Sequence, residues 1–323
     1  MVHDSAKELD SSPYPAERRQ REKGSGVTAS TSVRAKNSAS VLLVRPAAGD
    51  AGRDHGHGAK SDSGIEPGSG VEVFVHVRAN SMEFAPGAVV FPGGGVDPSD
   101  AEGTASWSLP DALAASLTDD AAEASGVAAA HRGEPVTPQT LVAAAVRETF
   151  EECGVLLAQP ANPATGPELH PDGEARRRAL EEHRIGINQA MTALDAVPYL
   201  EDIVCVDRWI TPAGLPKRYD TRFFAAVLPE GQIADGHTSE SVDSFWIRPE
   251  EALRRYKEGT LMVMAPTWAQ LERLARAETV EDALKPATTG VTMPSITRQP
   301  GSKPRIEFWG EDAYREAGKP IYS

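Results

Sequence analysis

Cysteine is almost absent from this sequence, which has only Cys153 and Cys205 among its 323 residues. Two cysteines cannot build the disulfide framework that stabilises small secreted domains, so the sequence predicts a reducing, cytoplasmic setting. Hydrophobic runs long enough for a signal peptide or a membrane-spanning helix are also missing. We therefore expect neither secretion nor membrane insertion.

Positive charge is scarce as well. The chain has 33 Lys and Arg against 47 Asp and Glu, which gives a net charge of −14. Such an excess of negative charge argues against binding to nucleic acid or to anionic membranes. A small phosphorylated ligand stays compatible with it, provided that local arginines or a bound cation face the phosphates. The apolar fraction of 40% is sufficient for a substantial core.

The distribution of apolar residues divides the chain into three parts. Residues 1–37 mix both charges without an apolar run and are predicted to be a disordered tail. Residues 38–285 carry the periodic patterns of one α/β domain, interrupted by polar inserts at about 98–135 and 160–198. Residues 286–323 repeat proline and glycine and are assigned to a C-terminal extension. The composition of the first insert predicts an excursion over the surface.

One helix stands out in the middle of the domain, between Thr137 and Gly154. Thr137 is a good N-cap, Pro138 suits the first helical position, and Gly154 suits a left-handed exit. At about 100° per residue one arc of this helix is apolar enough to pack on a sheet. That arc contains Val142, Val146, Thr149, Phe150 and Cys153.

The opposite arc of the same helix carries Glu148, Glu151 and Glu152. Carboxylates at these spacings repel one another, and they lie at the negative end of the helix dipole. A solvated acidic helix end is the ordinary interpretation of three such glutamates. A bound divalent cation also resolves the conflict, and three oxygen donors suit Mg²⁺ or Mn²⁺.

The string that surrounds these glutamates favours the metal. Residues 147–155 read Arg-Glu-Thr-Phe-Glu-Glu-Cys-Gly-Val and resemble the R-E-U-x-E-E-x-G-U core of the nudix hydrolases, with Thr149 where an aliphatic residue is usual. The resemblance implies an α/β/α sandwich with a mixed sheet. It also implies that the glutamates bind Mg²⁺ or Mn²⁺, that Arg147 orients Glu148, and that water cleaves a diphosphate. Glu148 is then either a metal ligand or the catalytic base.

The nudix box also requires a glycine upstream. Strict spacing selects Gly133, together with Gln139 where the family has a glutamate, whereas Phe91-Pro92-Gly93-Gly94-Gly95 resembles the usual entry to the box. Gly94 is the better candidate, and its carbonyl is expected to complete the metal coordination. The box is then interrupted by the first insert. Such an insert is found in the nudix subgroup whose animal member cleaves coenzyme A (CoA) and acyl-CoA.

Other stretches extend this resemblance to about residues 40–277. Arg78 belongs to a partial match with the motif that CoA-cleaving members carry, but Glu83 stands where that pattern has a second arginine. Arg218, with its neighbour Arg222, is a candidate for contact with a substrate phosphate, although salt bridging on a strand explains both equally well. Glu240 is a candidate for a carboxylate that comes from outside the helix, either as base or as an additional group at the metal.

The sequence thus predicts a hydrolase of phosphorus anhydrides that acts on a nucleoside-diphosphate-type substrate, with CoA or acyl-CoA as one candidate. Two alternatives stay open: a hydrolase of ADP-ribose or dinucleoside polyphosphates, and a nudix-fold binding module without turnover. The family also implies a homodimer. The remaining elements are predicted as strands at 40–45, 71–78, 202–210 and 219–228, and as helices at about 110–117, 173–195 (interrupted at Gly186), 249–256 and 267–277.

Overall fold

The computed structural model describes residues 33–47, 70–79, 85–162, 172–238, 241–287, 290–297 and 305–318. Several sequence predictions lie outside the described residues. These are most of the predicted N-terminal tail, Glu83 and Glu240.

The described residues form strands β1 (Lys36–Pro46), β2 (Val71–Arg78), β3 (Ala88–Val90), β4 (Gly93–Gly95), β5 (Ala158–Pro160), β6 (Ala196–Pro198), β7 (Ile203–Ile210), β8 (Tyr219–Val227), β9 (Ser241–Ile247), β10 (Met262–Val263), β11 (Val291–Thr292), β12 (Ser295–Thr297) and β13 (Arg305–Glu307). The helices are α1 (Asp111–Ser116), α2 (Asp120–Ala124), α3 (Pro138–Cys153), α4 (Gly173–Glu181), α5 (Ile187–Ala193), α6 (Pro249–Lys257), α7 (Ala265–Leu274), α8 (Val280–Ala283) and α9 (Glu311–Ala317). Single 3₁₀ turns lie at Pro98–Ala101, Thr104–Ser106 and Ala129–His131.

The main sheet is mixed, as the sequence predicts. Its strand order is β10-β3-β2-β1-β8-β7-β11, with β4 paired to β1 and β9 paired to β2. β1 runs parallel to β8, whereas its pairings with β2 and β4 are antiparallel. β1 is therefore the strand that joins the two halves of the sheet. It is also the strand that carries β4 beside the central helix.

Helices cover both faces of this sheet. On β1, Val41 and Leu43 belong to the hydrophobic cluster that contains α3, while Leu42 and Val44 belong to the cluster that contains α7. All four side chains are fully buried. A strand that is buried on both faces needs a continuous apolar run, which explains why the sequence does not alternate here. The α/β/α sandwich with a mixed sheet is confirmed.

The central helix has the predicted ends. The Thr137 side chain accepts from the Thr140 amide, and Gly154 has φ of +68° and donates to the Phe150 carbonyl. The predicted apolar arc is buried throughout, with no side chain more than 2% exposed. Thr149 satisfies its hydroxyl by donating to the Ala145 carbonyl at 2.7 Å. Local capping and periodicity were sufficient to define this helix, since neither depends on distant residues.

The first insert is packed more closely than its composition predicted. Its composition indicated an excursion over the surface, but Trp107, Leu113 and Leu117 are at most 5% exposed and pack in the same cluster as α3. Three large apolar side chains anchor an otherwise polar segment to the core. The second insert does the same through α4 and α5, whose predicted interruption at Gly186 is confirmed. Each insert therefore contributes buried side chains to the core of the domain.

The two ends of the domain also differ from the predictions. β1 begins at Lys36, inside the segment that was assigned to the tail. Beyond residue 286, Trp309 and Tyr314 pack with Trp268 of α7, so this part of the extension completes the hydrophobic cluster under α7. No helix in the described part of the chain is long and apolar enough to cross a membrane.

Candidate active site

The triple-glycine strand lies directly against the acidic arc of α3. The Gly93 amide donates to Oε2 of Glu152 at 2.9 Å. A Cβ atom added to Gly94 would lie 2.5 Å from Oε1 of Glu148. Any larger residue would force the Glu148 carboxylate or the strand to move, so glycine lets the main chain approach this carboxylate where it lies. The structure therefore brings Gly94 to the glutamates, as the interrupted box requires.

Gly133, the glycine at strict spacing, lies in different surroundings. Its amide donates to Oδ2 of Asp220 at 2.9 Å, and a Cβ atom there would collide with Asn37. Gln139 lies in the first turn of α3, and the glutamates lie in the last two turns. Of the two candidate glycines, Gly94 is thus the one in contact with the acidic arc.

Arg147 is the centre of the hydrogen-bond network at this site. Its Nη1 donates to Glu148 at 2.9 Å and to Glu151 at 2.8 Å, and its Nη2 donates to the Gly95 carbonyl at 2.8 Å. The remaining face of the guanidinium makes a bidentate pair with Asp100, at 2.8 and 3.1 Å. The predicted orienting role of Arg147 toward Glu148 fits this contact, and the same side chain also holds Glu151 and β4.

Asp100 is a site residue that the sequence interpretation missed. It lies in the 3₁₀ turn at the start of the first insert and is 0% exposed. Asp97 caps this turn, and the Asp97 amide in turn donates to Asp100. The Asp-Pro-Ser-Asp capping pattern was the local signal for this turn. Nothing local, however, indicates that Arg147 is the partner.

We expect Asp100→Asn to destabilise the protein by about 2 kcal/mol, because an amide cannot accept both hydrogen bonds of the bidentate pair and one buried Arg147 donor loses its acceptor. Urea unfolding measures this change. Asp111→Asn is the matched control, because Asp111 is an exposed aspartate of the same insert. A free energy of unfolding equal to that of the control would contradict the role assigned to Asp100.

The carboxylates around Arg147 carry more charge than one guanidinium neutralises. Burial raises the pKa of Glu148 to about 7, against the opposing effect of the Arg147 charge. Burial likewise raises the pKa of Glu151 above its ordinary value. Within the described residues, Oε1 of Glu151 is buried and has no hydrogen-bond partner. A site of this kind favours an additional cation.

The residues present fit a hard divalent metal. Glu148, Glu151 and Glu152 supply carboxylate oxygens, and the main chain at Gly94 lies against Glu148. Within the described ranges no three acidic, histidine or cysteine side chains converge as a complete ligand set. Glu148 and Glu151 are instead both paired with Arg147, at 2.9 and 2.8 Å.

His76 lies on β2 beside the acidic arc of α3. It is 3% exposed, its Nδ1 lies 2.6 Å from the Ser244 hydroxyl, and its Nε2 lies 3.7 Å from both Glu152 Oε2 and Cys153 Sγ. Burial and the nearby Arg177 charge lower the pKa of His76 to about 4, so the ring is neutral near pH 7. Burial raises the pKa of Cys153, which fits the prediction that this thiol is a core residue.

Arg78 and Arg218 are the two residues for which the sequence predicts contact with the substrate. Arg78 is half-buried at the end of β2, two positions after His76. Arg218 is only 2% exposed and donates to main-chain oxygens of Thr211, Pro212, Val33 and His131. These bonds assign Arg218 a structural role and argue against the predicted contact with substrate. Its guanidinium satisfies carbonyls where connecting segments meet, a partnership that the sequence alone does not reveal.

Arg222 is buried in a pair with Asp220, which fits the salt-bridge alternative given for it above. Glu240 lies outside the described residues, so its predicted role stays a prediction. The described chain approaches that position along the segment up to Thr238, and it resumes with β9 at Ser241.

Comparison with known proteins finds similar sequences and a similar fold over most of the chain. The family described as "NUDT19 Nudix domain" matches residues 35–274. A chicken (Gallus gallus) protein named acyl-coenzyme A diphosphatase NUDT19 is 30% identical over 279 residues, covering 77% of this chain and 70% of its own. The human protein of that name is 28% identical over 289 residues, covering 77% and 71%. A solved NUDIX hydrolase from Alicyclobacillus acidocaldarius shares the fold, with a TM-score of 0.55 at 24% identity, covering 77% of this chain and 95% of its own.

Proposed function

Since the chain belongs to the nudix hydrolases, in the family of the NUDT19 Nudix domain, we propose that the diphosphate it cleaves is that of CoA or acyl-CoA. Two relatives that each match 77% of the chain carry the name acyl-coenzyme A diphosphatase NUDT19. That the chain is a hydrolase of diphosphate bonds follows from its family. The identity of the substrate is the part that we propose.

The observation that best supports the proposed site is the contact of β4 with the acidic arc of α3. Gly93, Gly94 and Gly95 each meet a different residue of α3, namely Glu152, Glu148 and Arg147. Backbone and carboxylate oxygens thereby come together in one half-buried patch. This arrangement is suited to gripping a hard cation beside a chain of phosphates.

In the proposed site Glu148, Glu151 and Glu152, with the Gly94 carbonyl, would hold Mg²⁺ or Mn²⁺. When bound, the metal would polarise the diphosphate and make water a better nucleophile near neutral pH. Arg147 keeps Glu148 and Glu151 in fixed orientations, and Asp100 keeps Arg147 in place. Glu148 or Glu240 accepts the proton of the attacking water. Arg78 is proposed to contact a substrate phosphate from the end of β2.

Two other candidates differ in substrate or in turnover. The first is a hydrolase whose substrate is ADP-ribose or a dinucleoside polyphosphate, because Glu83 stands where the CoA motif has an arginine. A binding module without turnover is the less favoured candidate, since Arg147 and all three glutamates are present. A cytoplasmic location and a homodimer complete the proposal, the former from the two unpaired, buried cysteines.

A substrate panel tests the proposal. The purified chain is incubated with CoA, an acyl-CoA, ADP-ribose and a dinucleoside polyphosphate, in Mg²⁺, in Mn²⁺ and with a chelator, and the products are identified by mass. We expect a phosphopantetheine product from CoA or acyl-CoA and no reaction with the chelator. If ADP-ribose yields AMP while neither CoA substrate reacts, the proposed substrate is wrong. If nothing reacts with any metal, the binding-module alternative takes its place.

A further inference from the structure

A buried arginine from the second insert closes the C-terminal end of α3. Arg177 lies on α4 and is 2% exposed. Its Nε donates to the main-chain oxygen of Glu151 at 2.9 Å, and its Nη1 donates to Oδ2 of Asp235 at 2.8 Å. Its Nη2 donates to the main-chain oxygen of His237 at 3.2 Å. One guanidinium therefore ties the acidic helix end to the segment 235–238.

The helix end is built around this contact. The last carbonyls of a helix have no partner within it, and here the Asp235 amide donates to the Cys153 carbonyl at 2.9 Å while Arg177 takes that of Glu151. A Cβ atom on Gly154 would lie 2.9 Å from both Nη1 of Arg177 and Oδ2 of Asp235. Gly154 thus has a second function besides its left-handed exit, because it leaves room for the ion pair.

The charge of Arg177 matters at this position. The C-terminal end of a helix carries a partial negative charge, which favours a cation. The last turn of α3 has no basic residue of its own and instead carries Glu151 and Glu152. The second insert supplies the missing cation. The dipole conflict that marked this helix in the sequence is therefore relieved partly by Arg177, before any metal binds.

We propose that Arg177 is a positioning residue for diphosphate hydrolysis. It fixes the main chain of the turn from which Glu151 and Glu152 project, and so determines where their carboxylates meet the divalent cation. Arg177 bonds to the main chain of Glu151 and acts through geometry, without contact to the reacting atoms. This inference rests on the proposed function, in which those two glutamates hold the metal.

The neighbouring Arg178 provides a matched control. It lies on the same helix, but its side chain is 64% exposed and forms an ion pair with the equally exposed Glu174 at 3.8 Å. Arg177→Gln and Arg178→Gln remove the same charge from adjacent positions. Arg177→Lys keeps the charge and loses the planar fork that reaches three acceptors. Comparing the three variants separates charge, geometry and general effects of substitution on α4.

The test measures Mn²⁺ binding to the substrate-free protein by electron paramagnetic resonance, alongside kcat and KM in limiting and saturating Mn²⁺. Groups that orient metal ligands typically contribute about 10- to 100-fold to metal affinity or activity. We expect a loss of that size in Mn²⁺ affinity for Arg177→Gln, with kcat falling more than KM rises. Arg178→Gln should bind Mn²⁺ as the parent does, and Arg177→Lys should lie between the two.

Equal Mn²⁺ affinity and kcat in Arg177→Gln and Arg178→Gln, even with a lower melting temperature for the former, would overturn the proposal and leave Arg177 a purely structural role. If Arg177→Gln does not fold, Arg177→Lys and Asp235→Asn are judged by the same criterion. A parent chain that binds Mn²⁺ but hydrolyses no diphosphate would refute the proposed function. The Mn²⁺ comparison would still decide the role of Arg177.

Discussion

Glu152→Gln is expected to lower metal-dependent hydrolysis by about a thousandfold, because a metal ligand contributes several kcal/mol to the stabilisation of the transition state. The amide oxygen of the new side chain can still accept from Gly93, whose amide bonds to Glu152 at 2.9 Å. The fold should therefore be retained while the negative charge is lost. Initial rates at several Mn²⁺ concentrations, with the preferred diphosphate of the panel, measure the effect.

Glu182→Gln is the control for this variant. Glu182 forms an exposed ion pair with Arg184, and exposed pairs of this kind contribute little to stability. Its substitution should leave both the rate and the Mn²⁺ dependence unchanged. If Glu152→Gln behaved like Glu182→Gln, the acidic arc of α3 would not be the metal site.

Glu148→Gln addresses the two roles that are proposed for Glu148. If Glu148 is mainly a ligand, its variant should lose Mn²⁺ affinity and turnover together. If Glu148 is mainly the base, Mn²⁺ binding should persist while turnover falls by about 10²- to 10⁴-fold. Electron paramagnetic resonance and initial rates on the same preparation distinguish the two. Retention of both would remove Glu148 from the mechanism.

Gly94→Ala is expected to lower kcat/KM by about 100-fold or more, since a misplacement of about 1 Å at a reacting centre can cost that much. The added methyl group would lie 2.5 Å from Oε1 and 2.9 Å from Cδ of Glu148. Either the carboxylate rotates away from Arg147 or β4 shifts away from α3. Both movements disturb the place where the carbonyl and the carboxylates meet.

Gly95→Ala is a closely matched control. It lies in the same short strand, and a Cβ atom there has no heavy atom within 4 Å. Neither glycine has a positive φ, so alanine is compatible with both backbones. Steady-state kinetics and melting temperatures of the two variants isolate the contact with Glu148. Equal kinetics in both would show that the close approach of Gly94 has no catalytic consequence.

The parts of the fold and of the candidate site that could be predicted from the sequence are those with a local signal. Thr137 and Gly154 define the ends of α3 through capping rules that involve only a few neighbouring residues. The Arg147 to Val155 string carries a family pattern. Gly94 was found because the triple glycine has its own signature, even though 53 positions separate it from Arg147. Each of these inferences is independent of how the rest of the chain folds.

The residues that were missed are defined by distant partners. Asp100 lies in a polar segment, and its partner Arg147 is 47 positions away. Arg177 is one of three consecutive arginines, and only the packing of α4 decides which of them is buried. The partners of Arg218 could not be predicted for the same reason, because its acceptors are carbonyls of separate connecting segments. Buried arginines take their function from tertiary contacts that composition and spacing do not encode.

The pairing of β1 has a consequence for how the protein is made. β4 is held by β1, and β1 lies between β2 and β8, with Ser38 hydrogen-bonded to Thr221 across 183 positions. Contacts of such long sequence separation form slowly, and domains emerge from the ribosome N-terminal end first. During synthesis one edge of β1 therefore has no partner strand until β8 has emerged from the ribosome. A nascent chain arrested before residue 219 should be a target for chaperones and should lack metal affinity.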